Sequence, residues 1–203
     1  MTISHKRQQV PIVSLVERRT KGRKMSLAAY MNWKPEDGYK YEWNDGVLEQ
    51  RQMIKQEEFS IVRNLKQAFY RTEAFKDGGD LYTEFGCRTS LTQVRVPDIS
   101  FYSAEEIDAA AHKEIVPRFV VEIISPNDAS ERTHLKVHEY LRAGITIIWQ
   151  IYPQLRQVWI FRDTVHITVC SADMLCSAAP ILPDLQVTPN ELFTALSKSV
   201  TGL

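Results

Sequence analysis

The chain has 203 residues, of which 44% are hydrophobic, enough for one domain with a substantial core. Its 25 Lys and Arg balance 25 Asp and Glu, so a protein gripping nucleic acid by bulk charge alone is disfavoured, although a local basic stripe would still suffice. No stretch approaches 18 consecutive apolar residues, which argues against a transmembrane helix, and three cysteines without metal-ligand spacing argue against a disulfide framework. The setting expected from these features is a reducing cytoplasm with no membrane partner. A signal peptide is not expected either, since Lys6, Arg7, Glu17 and Arg18 interrupt the N-terminal stretch.

Residues 1–24 have weak periodicity and a cluster of basic residues (Arg18, Arg19, Lys21, Arg23, Lys24), and read as a solvated, flexible extension. Residues 25–203 read as a single domain. Ser26 is a candidate N-cap for a short helix through Met31. Tyr41-Glu42-Trp43 and Val47-Leu48-Glu49 flank Asn44-Asp45-Gly46, whose residues tolerate positive φ, so a β-hairpin is expected. Residues 56–76 read as one amphipathic helix, with Phe59, Val62, Leu65, Ala68 and Phe69 at three- and four-residue steps. Strands are expected over 81–91, broken near Gly86, and over 94–102. A short surface helix or loop follows at 103–113. Residues 117–124 form a near-continuous β-branched run, as in a strand buried on both faces. A helix over 131–143, closed by Gly144, leads to a buried strand at 145–152. A hairpin turns around Arg162-Asp163-Thr164. The chain then has Leu182-Pro183-Asp184-Leu185-Gln186-Val187 and a short helix to about Leu196. The alternation predicts an α/β fold with a central mixed sheet flanked by helices.

Two carboxylates stand out. Asp98 follows Pro97 at the start of an apolar run, and Glu122 lies inside the apolar run Phe119-Val120-Val121-Glu122-Ile123-Ile124. A buried acid is costly unless it is paired or holds a metal. Two acids at adjacent strand ends, with a backbone carbonyl beside Glu122, would suit Mg²⁺ or Mn²⁺, which takes hard oxygen ligands and keeps several waters. Lys136 on the following helix could orient a water or counter charge on a phosphoryl oxyanion. The bland alternative for Glu122 is an ion pair with Lys136 or Arg118. Glu58 and Glu84 are further candidate ligands, although Glu58 also lies where an acid suits a helix N-terminus. His134 and His138 have metal-binding spacing but no third ligand in view. The four tryptophans are expected to pack in the core or on strands.

Pro97-Asp98 followed by Glu122 resembles the PD-(D/E)XK nuclease superfamily, in which Asp precedes Glu-x-Lys on the next strand. Here Ile124 stands at the lysine position. Glu122 through Pro126, Lys136, Tyr140, Ala143-Gly144 and Trp149 resemble a large, mostly bacterial family of restriction-endonuclease-like proteins whose lysine has moved to the following helix. Lys136 is the matching position. Tyr41-Glu42-x-x-Asp45-Gly46, the helix from Gln56 and the segment from Leu182-Pro183 to Leu192-Phe193 fit the same family, so the resemblance covers about residues 25–196. Glu58 stands where the family often has His, and Tyr152-Pro153 where it often has Asp-Pro. The resemblance implies a restriction-endonuclease-like fold and Mg²⁺- or Mn²⁺-dependent phosphodiester hydrolysis. Its implied ligands are Asp98 and Glu122, with Glu58 as a further one, and Lys136 is its catalytic amine. It also implies DNA as the substrate and a homodimer as the natural form for cutting both strands. The alternatives are a nuclease fold retained only for binding DNA or protein, and a phosphoesterase acting on small nucleotides.

Overall fold

The computed structural model describes residues 22–126 and 128–194. Most of the expected N-terminal extension, and the end of the expected last helix, lie outside the described residues. Residues 22–25 run beside the first hairpin, where Leu48 N donates to Arg23 O at 2.9 Å and Met25 N to Gly46 O at 2.8 Å.

Helix α1 (Leu27–Asn32) starts at Ser26, whose hydroxyl accepts from Ala29 N. Strands β1 (Lys40–Asn44) and β2 (Val47–Arg51) form the expected hairpin, with Asp45 at φ 47° and Gly46 at φ 81° in the turn. Such a turn matches the twist of the strands it joins.

The helix expected over 56–76 is three pieces: a 3₁₀ turn (Gln56–Glu58), α2 (Phe59–Phe69) and α3 (Glu73–Lys76). Thr72 makes the break. Its buried hydroxyl donates to Phe69 O at 2.7 Å and accepts from Phe75 N at 3.2 Å, closing one helix and capping the next. Thr72→Ala should therefore cost roughly 1 kcal/mol in chemical denaturation. The buried stripe of α2 is Ile61, Leu65 and Phe69, with Val62 and Ala68 at its edge, while Phe59 is exposed. The periodicity locates this stripe to within one helical face, and Phe59 belongs to the outer one.

Two expected strands are each divided between two sheets. Residues 81–91 become β3 (Asp80–Thr83) and β4 (Cys87–Ser90), parted by Glu84 at φ 52° and Gly86. Residues 94–102 become β5 (Gln93–Arg95) and β6 (Ile99–Tyr102). Pro97 lacks the N–H that a continuing ladder needs, so the chain passes from one sheet to the next there. The remaining elements are α4 (Ala104–Ala109), β7 (Phe119–Ile123), α5 (Ser130–Arg142), β8 (Ile147–Tyr152), β9 (Gln157–Phe161), β10 (Ile167–Ser171), β11 (Cys176–Ala178), β12 (Leu182–Val187) and α6 (Pro189–Leu192). Strand β11 has no counterpart among the expected elements; it is three residues long and, among the described residues, pairs with β12 alone.

A six-stranded sheet runs β10-β9-β8-β7-β6-β3, and a four-stranded antiparallel sheet runs β2-β1-β5-β4. In the larger sheet only β7 and β8 are parallel, and α5 is the crossover between them. Period-two alternation along β7 sends Phe119, Val121 and Ile123 to the main core with α2, and Val120 to the cluster with Val137 and Tyr140 of α5. Glu122 shares the α5 side with Val120. The fold is thus α/β, with a central mixed sheet between helices. Among the described residues, no helix is long and apolar enough to cross a membrane. All three cysteines are buried and free.

Candidate active site

Asp98 sits where the chain changes sheets. Its main-chain carbonyl accepts from Glu84 N at 3.0 Å, and its Oδ2 accepts from Ile123 N at 2.6 Å, tying β6 to the end of β7. Its Oδ1 is ion-paired with the Lys40 amine from the first residue of β1. Asp98 and Lys40 are both largely buried, their side chains 8% and 10% exposed.

Glu122, one strand over, takes hydrogen bonds on Oε1 from Lys136 Nζ at 2.9 Å and from the Tyr140 hydroxyl. The spacing on α5 accounts for this. Thr133, Lys136, Val137 and Tyr140 are its buried residues, at steps of three and four that keep them on the face over β7. The same Lys136 amine reaches Glu42 Oε1, also at 2.9 Å.

Glu42, on β1, is completely buried. Besides Lys136 it receives Arg51 Nε at 2.9 Å, Arg95 Nη1 at 3.2 Å and the main-chain N–H of Val96 at 3.2 Å. Arg95 also binds Glu49 and Glu139, so the hairpin, β5 and α5 converge on one ionic cluster.

Burial works against every charge here, and the partners decide the outcome. For Glu42, burial alone would raise the carboxyl, but Lys136, Arg51 and Arg95 overcome it and hold the pKa at about 2. For Glu122, burial dominates and the neighbouring Asp98 adds to it, so the carboxyl is raised despite Lys136. Burial would lower the Lys136 ammonium, but Glu122 and Glu42 raise it. Lys40 follows the same logic: burial would lower it, but Asp98 and Glu122 raise it. Both lysines are cations in the folded protein.

Asp98, Glu122, Lys136 and Glu58 all line one cleft of about 340 Å³, with Lys40, Arg51, Ser125, Arg132 and Gln150 also on its walls. Glu58 is buried, and its Oε2 accepts from Lys55 N at 2.9 Å, a capping contact at the 3₁₀ turn. Glu84 is not on the cleft; its carboxylate accepts from Ile54 N at 2.9 Å. The ion pair foreseen for Glu122 is with Lys136 and not with Arg118. Of the histidine pair, His134 is exposed and edge-on to Phe161. Among the described residues no three His, Cys, Asp or Glu side chains are grouped to hold a metal. Sequence alone gives Glu42 no chemical role and passes over Lys40. The signal is nevertheless present: Lys40 and Glu42 are two apart on a strand, so both face the same way, toward Asp98 and Lys136.

No curated protein sequence matches the chain. Among solved structures, a crystal structure described as "a putative nuclease belonging to DUF820" from Anabaena variabilis ATCC 29413 superposes with a TM-score of 0.71. It is 20% identical, and the match covers 83% of this chain and 97% of that one. At that identity the likeness establishes a shared, nuclease-like fold. The family model Uma2, described as "Putative restriction endonuclease", matches residues 27–190, a span that includes the hairpin, Asp98, Glu122 and Lys136. By that match the chain belongs to the Uma2 family.

Proposed function

We propose that the protein is a divalent-metal-dependent endonuclease hydrolysing phosphodiester bonds in DNA, with Asp98 and Glu122 as ligands of Mg²⁺ or Mn²⁺; Glu58 lines the same cleft and would reach the cation through a water. The observation that carries this reading is the pair of buried carboxylates at adjacent ends of β6 and β7, both lining one cleft and each paired with a lysine. The donor set fits a hard cation. Among the described residues, both hydrogen bonds to the Glu122 carboxylate end on Oε1, which leaves Oε2 for a ligand. Asp98 can offer Oδ1 once its lysine moves. Two carboxylates and a main-chain carbonyl, completed by waters, are what Mg²⁺ commonly accepts.

When bound, the cation would acidify a water and neutralise charge building on the phosphate. The chain's own residues do the rest. Ile123 N fixes Asp98, while Tyr140 and Lys136 fix Glu122. Lys136, held at 2.9 Å from both Glu42 and Glu122, presents a positive charge at a set position on the cleft wall, where it would counter charge developing on the phosphate. In the reaction the water oxygen bonds to phosphorus, the ester P–O bond breaks, and its electron pair leaves with the departing oxygen. Solvent takes the proton of the water and returns one to the leaving oxygen.

The test is cleavage of supercoiled plasmid DNA in Mg²⁺, set against EDTA. Nicked and linear products that require Mg²⁺ support the reading; DNA left intact with Mg²⁺ and with Mn²⁺ counts against it. Lys136→Met should keep metal binding and lower turnover by about 10²-fold, measured with the same substrate and with a melt alongside, because the change also leaves the buried Glu42 and Glu122 short of a cation. The family match, over residues 27–190, supports reading that span as one nuclease unit behind an N-terminal extension. A homodimer would give two such clefts for two strands. A second reading, a fold kept only to bind DNA or protein, draws on the fact that both carboxylates already have lysine partners.

A further inference from the structure

We propose that Lys40 is an internal stand-in for the divalent cation, and that once displaced from Asp98 it becomes a catalytic residue contacting the substrate phosphate. This rests on the reading of the cleft as a metal-dependent nuclease site. The two lysines of the cleft are held differently. Lys136 is fixed between two carboxylates, and one of them, Glu42, is fully buried behind Arg51 and Arg95, so arrival of a metal would not release it. Lys40 has its ion pair, among the described residues, with Asp98 alone.

The contact also falls on the oxygen a metal needs. Asp98 Oδ2 is engaged by Ile123 N, so Oδ1 is the ligand atom, and the Lys40 amine occupies it. An ammonium and a divalent cation on one oxygen repel each other at short range. Binding of the cation therefore expels the amine. The base of Lys40 stays in place, because β1 lies inside its sheet and Lys40 pairs with Arg51 of β2. A four-carbon stem rooted at the cleft wall leaves the ammonium within the cleft, where a bound phosphate supplies the next negative charge. A compact, strongly hydrated ammonium suits phosphate oxygens. Before metal arrives, the same amine keeps Asp98 and Glu122 from repelling one another across an unfilled site.

A residue acting as stand-in and then as phosphate contact gives effects of opposite sign. Mn²⁺ binding to the apoprotein, followed by electron paramagnetic resonance, should be about tenfold tighter in Lys40→Met than in wild type. Turnover of the plasmid at saturating Mg²⁺ should fall by about 10²-fold in the same variant. Lys40→Arg keeps the charge and guards against misfolding of the methionine variant; it should bind Mn²⁺ no more tightly than wild type. Unchanged or weaker Mn²⁺ binding in Lys40→Met, tighter binding in Lys40→Arg, or full turnover in Lys40→Met would each overturn the assignment of Lys40. Wild type that binds no Mn²⁺, or binds it equally well after Asp98→Asn, would instead overturn the reading of the cleft itself.

Discussion

Asp98→Asn and Glu122→Gln should each reduce Mg²⁺-dependent DNA cleavage by about 10³-fold or more while leaving a folded protein. These isosteric changes are preferable to alanine. In Asp98→Asn the side-chain carbonyl oxygen still accepts from Ile123 N. In Glu122→Gln the amide oxygen still accepts from Tyr140 and Lys136, so the network across β6, β7 and α5 survives. Asp98→Ala would leave the Ile123 N–H without its acceptor, at a cost of about 1–3 kcal/mol. Loss of cleavage there would mix chemistry with stability. Plasmid nicking at equal protein concentration, with a melt of each variant alongside, separates the two. Cleavage surviving in both isosteric variants would remove these carboxylates from the mechanism.

The largest stability effect is expected from Glu42→Gln, at about 3–5 kcal/mol in chemical denaturation, because a fully buried charge that neutralises Lys136, Arg51 and Arg95 is taken away. Its pH dependence has a definite sign. The Glu42 carboxyl is depressed to about 2 in the folded protein from its ordinary 4.5. A depressed acid adds stability above its unfolded pKa and loses it as pH falls toward the folded value. The stability difference between wild type and Glu42→Gln should thus be full above about pH 5 and shrink by roughly 3 kcal/mol on going to pH 2. Glu122 works in the opposite sense, since burial raises its carboxyl and protonation relieves that strain. For this reason the difference between the two proteins is the quantity to follow, with denaturant titrations at stepped pH. A difference that stays constant from pH 6 to pH 2 would mean that Glu42 is not held as an anion by its three partners.

The elements that can be read in advance are those whose cause is local. Asn44-Asp45-Gly46 makes a hairpin by its own backbone preferences, and the near-continuous apolar run at 119–123, interrupted by Glu122, is buried on both faces. The helix carrying Lys136, expected over 131–143, is found at Ser130–Arg142, while the burial of Thr133, Lys136 and Val137 on it appears only with the structure. What escapes a reading of the sequence depends on distant partners. Nothing in residues 94–102 says that the two halves join different sheets; Pro97 marks the break, but β1 and β7 decide it. The single helix expected over 56–76 hides Thr72, whose capping role appears only with its contacts to Phe69 and Phe75. Asp98, Glu122, Glu58 and Lys136 can be proposed because an acid in an apolar strand is conspicuous and the family pattern is ordered. Lys40 and Glu42 are not conspicuous. Their partners, Asp98 and Lys136, lie far along the chain, and a lysine and a glutamate beside a hairpin look like ordinary surface charge until those partners are known.

Whether the cleft carboxylates hold a divalent cation is tested most directly by thermal melts of wild type and Glu122→Gln with and without millimolar Mg²⁺ and Mn²⁺. A cation bound only by the folded state at about a hundred times its Kd adds about 2.7 kcal/mol, a shift that a melt resolves. Stabilisation of wild type that is lost in Glu122→Gln is the expected result. Equal shifts in the two proteins, or none in wild type, would contradict the claim and favour a nuclease fold that binds without cutting.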